Sequence, residues 1–98
     1  MTPEGRVKAK VKKILSEAGA WFVMPVTGGY GNSGAPDFVV CHAGHFLGIE
    51  CKAGGNKPTA LQYKNLADIM RCGGEALVVN EDNVHQLKEV LDSYEKAQ

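Results

Sequence analysis

Residues 34 to 52, GAPDFVVCHAGHFLGIECK, restrict the folds open to this chain more than any other stretch. Two short apolar runs, Phe38-Val39-Val40-Cys41 and Phe46-Leu47-Gly48-Ile49, flank His42-Ala43-Gly44-His45, which has the length and the glycine of a hairpin loop. Charge then appears where a buried strand should stay apolar: Asp37 opens the first run, and Glu50 and Lys52 close the second around Cys51. Strand side chains alternate faces, so Glu50 and Lys52 share one face, with Cα atoms roughly 7 Å apart. Cys51 shares the other face with Ile49 and Leu47. In an antiparallel hairpin the start of one strand lies beside the end of the next, which sets Asp37 against Glu50 and Lys52. Two carboxylates and an ammonium therefore converge on one end of a sheet. Crowded carboxylates repel unless a cation sits between them, and Mg²⁺ accepts one or two carboxylates completed by water and phosphate oxygens. Taken alone, the same three residues also describe a salt bridge at a sheet end.

The remaining chain supplies the context. Ninety-eight residues make one domain, residues 1–98, with a single core that dimerisation would help to cover. No apolar run approaches 18 residues and no signal peptide is visible, so the expectation is a soluble, cytoplasmic protein. Cys41, Cys51 and Cys72 are odd in number and lie in or beside apolar segments, which reads as reduced core thiols. Cys41, His42, His45 and Cys51 match no familiar zinc spacing, and Cys51 should face the core. Net charge is zero but uneven: residues 1–20 carry an excess of three positive charges and residues 75–98 an excess of four negative ones. A basic first segment permits phosphate binding, while overall neutrality argues against nonspecific coating of nucleic acid.

Thr2-Pro3-Glu4 is a helix start, with a capping hydroxyl, proline in the first turn and an acid at the positive end of the dipole. Val7, Val11, Ile14, Leu15 and Ala18 form the apolar stripe and Gly19 ends it. Glu4, three residues before Val7, prolongs that stripe by one turn toward the core edge. Lys8 and Lys12 are candidate phosphate contacts. Ala20 to Val26 reads as a strand with Pro25 near its end. The glycine-rich stretch 27–34 leads straight into Asp37, so Tyr30 and Asn32 are candidates to touch a substrate; without GK[ST] and a following helix it is not a P-loop. Thr59 caps a helix running to about Cys72, with Gln62 in its first turn and Leu61, Leu66, Ile69 and Met70 apolar. Ala76 to Val79 is a buried strand, and a last helix starting near Asp82 or Asn83 turns Val84, Leu87, Val90, Leu91 and Tyr94 inward. That apolar set fits plain core packing and also an interface. The order is α-β-β-β-α-β-α, with the fourth strand parallel to the third through a right-handed crossover. The fold class is therefore α/β, a mixed central sheet flanked by helices.

Glu4 on the first helix, Pro36-Asp37, Glu50-Cys51-Lys52 and Gln62 on the next helix, taken in this order, resemble the PD-(D/E)xK nuclease superfamily with its restriction-endonuclease-like core. The stretches GGYGNSGAPDF, GIECKAGG and PTALQ are similar to its VRR-NUC family, in particular to short, stand-alone, phage-type members. The likeness spans roughly residues 2 to 92. It implies a divalent-metal-dependent DNA endonuclease using Mg²⁺, or Mn²⁺ in its place. It further implies that Asp37, Glu50 and the Cys51 backbone carbonyl are metal ligands and that Glu4 binds metal directly or through water. Lys52 would activate the attacking water or stabilise charge, and Gln62 would orient Lys52 or a phosphate. Stand-alone members resemble homodimers that cut four-way (Holliday) DNA junctions, and a phage-encoded enzyme would act in its host's cytoplasm. Alternatives on the residues alone are a catalytically silent nucleic-acid-binding module, a nicking or flap-type nuclease without junction selectivity, and a small interaction protein whose acid patch is a salt bridge.

Overall fold

The computed structural model describes residues 1–26 and 34–98; Tyr30 and Asn32 lie outside the described residues. The elements follow the order α1 (Pro3–Glu17), β1 (Trp21–Val23), β2 (Phe38–His42), β3 (His45–Cys51), α2 (Ala60–Arg71), β4 (Glu75–Val79) and α3 (Gln86–Lys96). They build one four-stranded sheet in the order β1-β2-β3-β4. The first three strands are antiparallel and β4 lies parallel to β3, so the chain has the expected mixed α/β architecture.

Local chemistry accounts for most of the boundaries. Thr2 caps α1, its hydroxyl accepting from the Gly5 N–H at 3.0 Å, and the helix closes in a Schellman motif. There Gly19, at φ +72°, lets the Ala20 N–H reach the Leu15 carbonyl at 3.0 Å. The hairpin turn is tighter than four residues: only Ala43 and Gly44, with φ of 50° and 80°, join His42 to His45. Paired positive φ values match the right-handed twist of the flanking strands. Gly73, at φ +100°, ends α2 in a second Schellman motif, with the Gly74 N–H on the Ile69 carbonyl at 2.9 Å.

Period-two alternation sorts the sheet into two faces. Phe38 and Val40 on β2 and Leu47, Ile49 and Cys51 on β3 are buried in one core with Val7, Val11 and Leu15 of α1 and Leu87, Leu91 and Tyr94 of α3. On the other face α2 lies close over β3. Gly48 makes room for it, since a Cβ there would sit 2.7 Å from the Ile69 Cδ1 and 3.2 Å from the Pro36 Cγ. α3 is also tied to the hairpin, where the His45 ring stacks on Tyr94 at 4.3 Å and His42 Nε2 lies 3.0 Å from a Glu95 oxygen.

Several sequence expectations are corrected. The strand expected over 20–26 is paired only at Trp21–Val23, an edge piece with Trp21 61% exposed. Cys41 and Cys72 are exposed, and only Cys51 is a core thiol. Of the four apolar positions on α2, Leu66 is buried and Ile69 half-buried, while Leu61 and Met70 face solvent. The run 76–79 is buried only at Val79, because β4 is an edge strand with a neighbour on one side. α3 starts at Gln86 rather than near Asp82. The Asn80 side chain accepts from the N–H groups of Asp82 and Asn83, and the Asn83 side chain accepts from the Asn80 N–H at 2.8 Å, holding a turn that competes with the helix. Val84, Leu87, Leu91 and Tyr94 are buried in the core, as the core-packing reading of that apolar set expected.

Candidate active site

The hairpin register continued by one step places Asp37 opposite Glu50, beyond the Phe38–Ile49 pair. The Cys51 backbone N–H donates to the Asp37 carboxylate at 2.8 Å, which fixes Asp37 against the end of β3. Pro36, buried against Gly48, and Gly34, pressed against Leu61 and Asn65 of α2, set the approach of the chain to Asp37. A Cβ on Gly34 would fall 2.7 Å from the Leu61 carbonyl oxygen and 2.5 Å from the Asn65 Nδ2, so only glycine passes beneath the helix here.

Glu50 is the centre of the site. It is 2% exposed, the one buried charged residue among the described residues. Gln62 Nε2 donates to its Oε1 at 3.2 Å, while its Oε2 is buried without a hydrogen-bond partner. Burial and then the neighbouring Asp37 carboxylate push its pKa up to about 8, against the opposing pull of Lys52. Cys51 is driven the same way, to about 12, by burial and by both carboxylates, so its thiol stays protonated in the core.

Gln62 sits where two structural demands meet. Its Oε1 accepts from the Thr59 N–H at 2.8 Å and its own N–H donates to the Thr59 hydroxyl at 3.2 Å, completing a capping box at the start of α2. The cap aims the amide nitrogen at Glu50 rather than at Lys52. Lys52 is half-buried on the Glu50 face, its backbone N–H donating to the Val79 carbonyl at 2.9 Å.

Sequence reasoning missed the role of Lys8. Read as a phosphate contact on a solvated face, its ammonium instead lies 3.4 Å from the Asp37 carboxylate and 3.7 Å from that of Glu4, its side chain 35% exposed. Burial pulls its pKa down, but the charge and hydrogen bond of Asp37, with Glu4 behind them, win and raise it above the ordinary lysine value. The signal was available in the i, i+4 spacing of Glu4 and Lys8, which puts both on one side of α1. Lys12 is exposed and faces solvent.

Among the described residues, no three His, Cys, Asp or Glu side chains converge into a ready-made metal cage. Glu4 is joined to the Asp37–Glu50 pair through Lys8. The donors nevertheless suit a hard cation: two carboxylates at one strand end, one of them with a buried and unpartnered oxygen. A cavity of about 620 Å³ at the opposite end of the sheet is lined by His45, Phe46, Ile69 and Cys72 among others, and by none of the site residues.

A mixed sheet with helices on both faces and an acid pair plus lysine at the shared end of β2 and β3 has the layout of a restriction-endonuclease-like nuclease domain. A solved structure described as a VRR_NUC domain matches the chain with a TM-score of 0.75 and 26% sequence identity, covering 91% of this chain and 97% of its own. The chain thus shares the fold of a VRR_NUC domain over nearly its whole length. No family model and no curated protein matches the sequence. No helix among the described residues is long and apolar enough to cross a membrane.

Proposed function

We propose that the protein is a divalent-metal-dependent DNA endonuclease that hydrolyses phosphodiester bonds. The observation that carries this reading is Glu50, an acid buried beside a second acid at a strand end with one oxygen unpartnered. A folded chain retains so costly a group when something outside the chain satisfies it. Asp37, Glu50 and the Cys51 carbonyl are the residues that would hold Mg²⁺ or Mn²⁺, with Glu4 reaching it directly or through water. When bound, the ion offsets phosphate charge and makes water a better nucleophile near neutral pH.

The chain's own residues do the positioning. The Cys51 N–H holds one Asp37 oxygen, so that the other oxygen faces the site. Gln62 holds one Glu50 oxygen and leaves the second turned toward Asp37. Lys52, on the same face as Glu50, brings an ammonium to the non-bridging oxygens as charge builds on them. Water adds to phosphorus and gives up a proton to solvent, the bond to the 3′ oxygen breaks, and that oxygen takes up a proton from solvent, leaving a 5′-phosphate and a 3′-hydroxyl. The substrate reading is a four-way junction cut by a homodimer, because symmetric nicking of two strands needs two sites and this chain supplies one.

The test is cleavage of an end-labelled four-way junction beside a linear duplex of matched sequence, with Mg²⁺ or Mn²⁺, and with Lys52→Ala as control. Paired cuts confined to the junction and lost in the variant are expected. Equal cutting of both DNAs keeps the nuclease and discards junction selectivity, favouring a nicking or flap-type enzyme. No cutting with either metal refutes the nuclease reading in favour of a silent binding module.

A further inference from the structure

The proposed ligands do not face an open seat. Lys8 stands against them from α1, its ammonium 3.4 Å from Asp37 and 3.7 Å from Glu4. Asp37 and Glu50 form the acid pair, Glu4 is joined to it through Lys8, and Lys52 acts on Glu50 from the strand side. Lys8 is therefore the cation that bridges the two acids nearest α1.

We propose that Lys8 is an internal counter-cation that competes with the divalent ion for Asp37, so that metal entry and the Lys8–Asp37 ion pair exclude one another. This rests on the metal-binding reading above. A divalent ion on Asp37 repels an ammonium 3.4 Å from the same carboxylate, and the two cannot share that side of the site at full charge. The lysine stem is long and flexible and the side chain is partly solvated, so Lys8 can turn off Asp37 while α1 stays in place. Glu4, freed from the same ammonium, then becomes available to the ion or to its water shell. The arrangement keeps the acid cluster partly neutralised without metal, at the expense of metal affinity. Thus the residue that steadies the empty fold also sets the threshold of metal concentration at which the site fills.

The discriminating experiment is calorimetric titration of the whole protein with Mn²⁺ and with Mg²⁺, without DNA, for the parent, Lys8→Met and Lys8→Arg, with metal-free thermal melts alongside. Methionine keeps the stem length and helix preference while removing the charge. The expected result is metal binding about three- to ten-fold tighter in Lys8→Met, of the size of one partly exposed ion pair with its repulsion added. Lys8→Arg is expected to stay near the parent because it keeps the charge. The metal-free melting temperature of Lys8→Met should fall, since the acids lose their counter-ion. A Lys8→Met protein that folds and binds metal as the parent does, or more weakly, overturns the proposal and leaves the metal site standing. A parent that binds neither metal overturns both.

Discussion

Neutralising Glu50 should make the metal-free protein more stable, and only above the pH at which a free carboxyl ionises. In the fold its pKa is raised from 4.5 to about 8, first by burial and then by Asp37. Between those two values the native chain holds a proton that the unfolded chain has released, so stability falls as pH rises through that window and levels off above about 8. One unit of pKa is about 1.4 kcal/mol, so the gap caps the penalty at about 5 kcal/mol above pH 8, of which about 3 kcal/mol is already present at pH 7. The proton is shared with Asp37, and a single substitution recovers only part of the penalty, about 1–2 kcal/mol. Glu50→Gln is close to isosteric. Its carbonyl oxygen still accepts from Gln62, and its amide group adds a donor on the side facing Asp37. For a chain of this size, about 1–2 kcal/mol is a rise in melting temperature of roughly 5–12 °C. Melts in EDTA at pH 5 and pH 8 should show that gain at pH 8 and little at pH 5, where the parent already holds the proton. Added Mg²⁺ should raise the melting temperature of the parent and not of the variant. A variant no more stable than the parent at pH 8, or equally stabilised at both pH values, would refute the reasoning.

Gln62→Ala removes the capping box and the one donor that Glu50 has, leaving both carboxylate oxygens unpaired. A loss of about 1–3 kcal/mol is expected in denaturant unfolding, larger than a cap alone would give; a loss confined to a few tenths would mean that Gln62 does no more than cap. Gly34→Ala sets a methyl group against the Leu61 carbonyl and should cost about 1–3 kcal/mol while displacing Asp37 and lowering cleavage. Unchanged melts and unchanged cleavage would show that this crossing is looser than the distances say.

The site was legible to the extent that it depends on local pattern. A two-residue alternation put Glu50 and Lys52 on one face, and the hairpin signal around Gly44 brought Asp37 to them, because register in a short hairpin leaves few choices. The helix starts at Thr2 and Thr59 were equally readable, since a cap is a bond between neighbours in sequence. Where reading failed, the deciding partner was distant in sequence or the competing bond was unforeseen. Lys8 looked like a surface lysine because Asp37 lies 29 positions away. The start of α3 was placed too early because Asn80 and Asn83 trade hydrogen bonds that no helical periodicity reports. Gln62 was expected to orient Lys52 or a phosphate, and its hydrogen bond to Glu50 depends on how α2 sits over Gly48.

By itself the sequence determined the order of the elements, the pairing of β2 with β3 and the identity of the acids, because spacing and alternation act over a few residues. Tertiary structure alone decided how charged the site can be. The packing of α2 over β3 buries Glu50, and the docking of α1 brings Lys8 onto Asp37. Burial and ion pairing depend on which surfaces meet, and those meetings are made by helices whose partners lie tens of residues away.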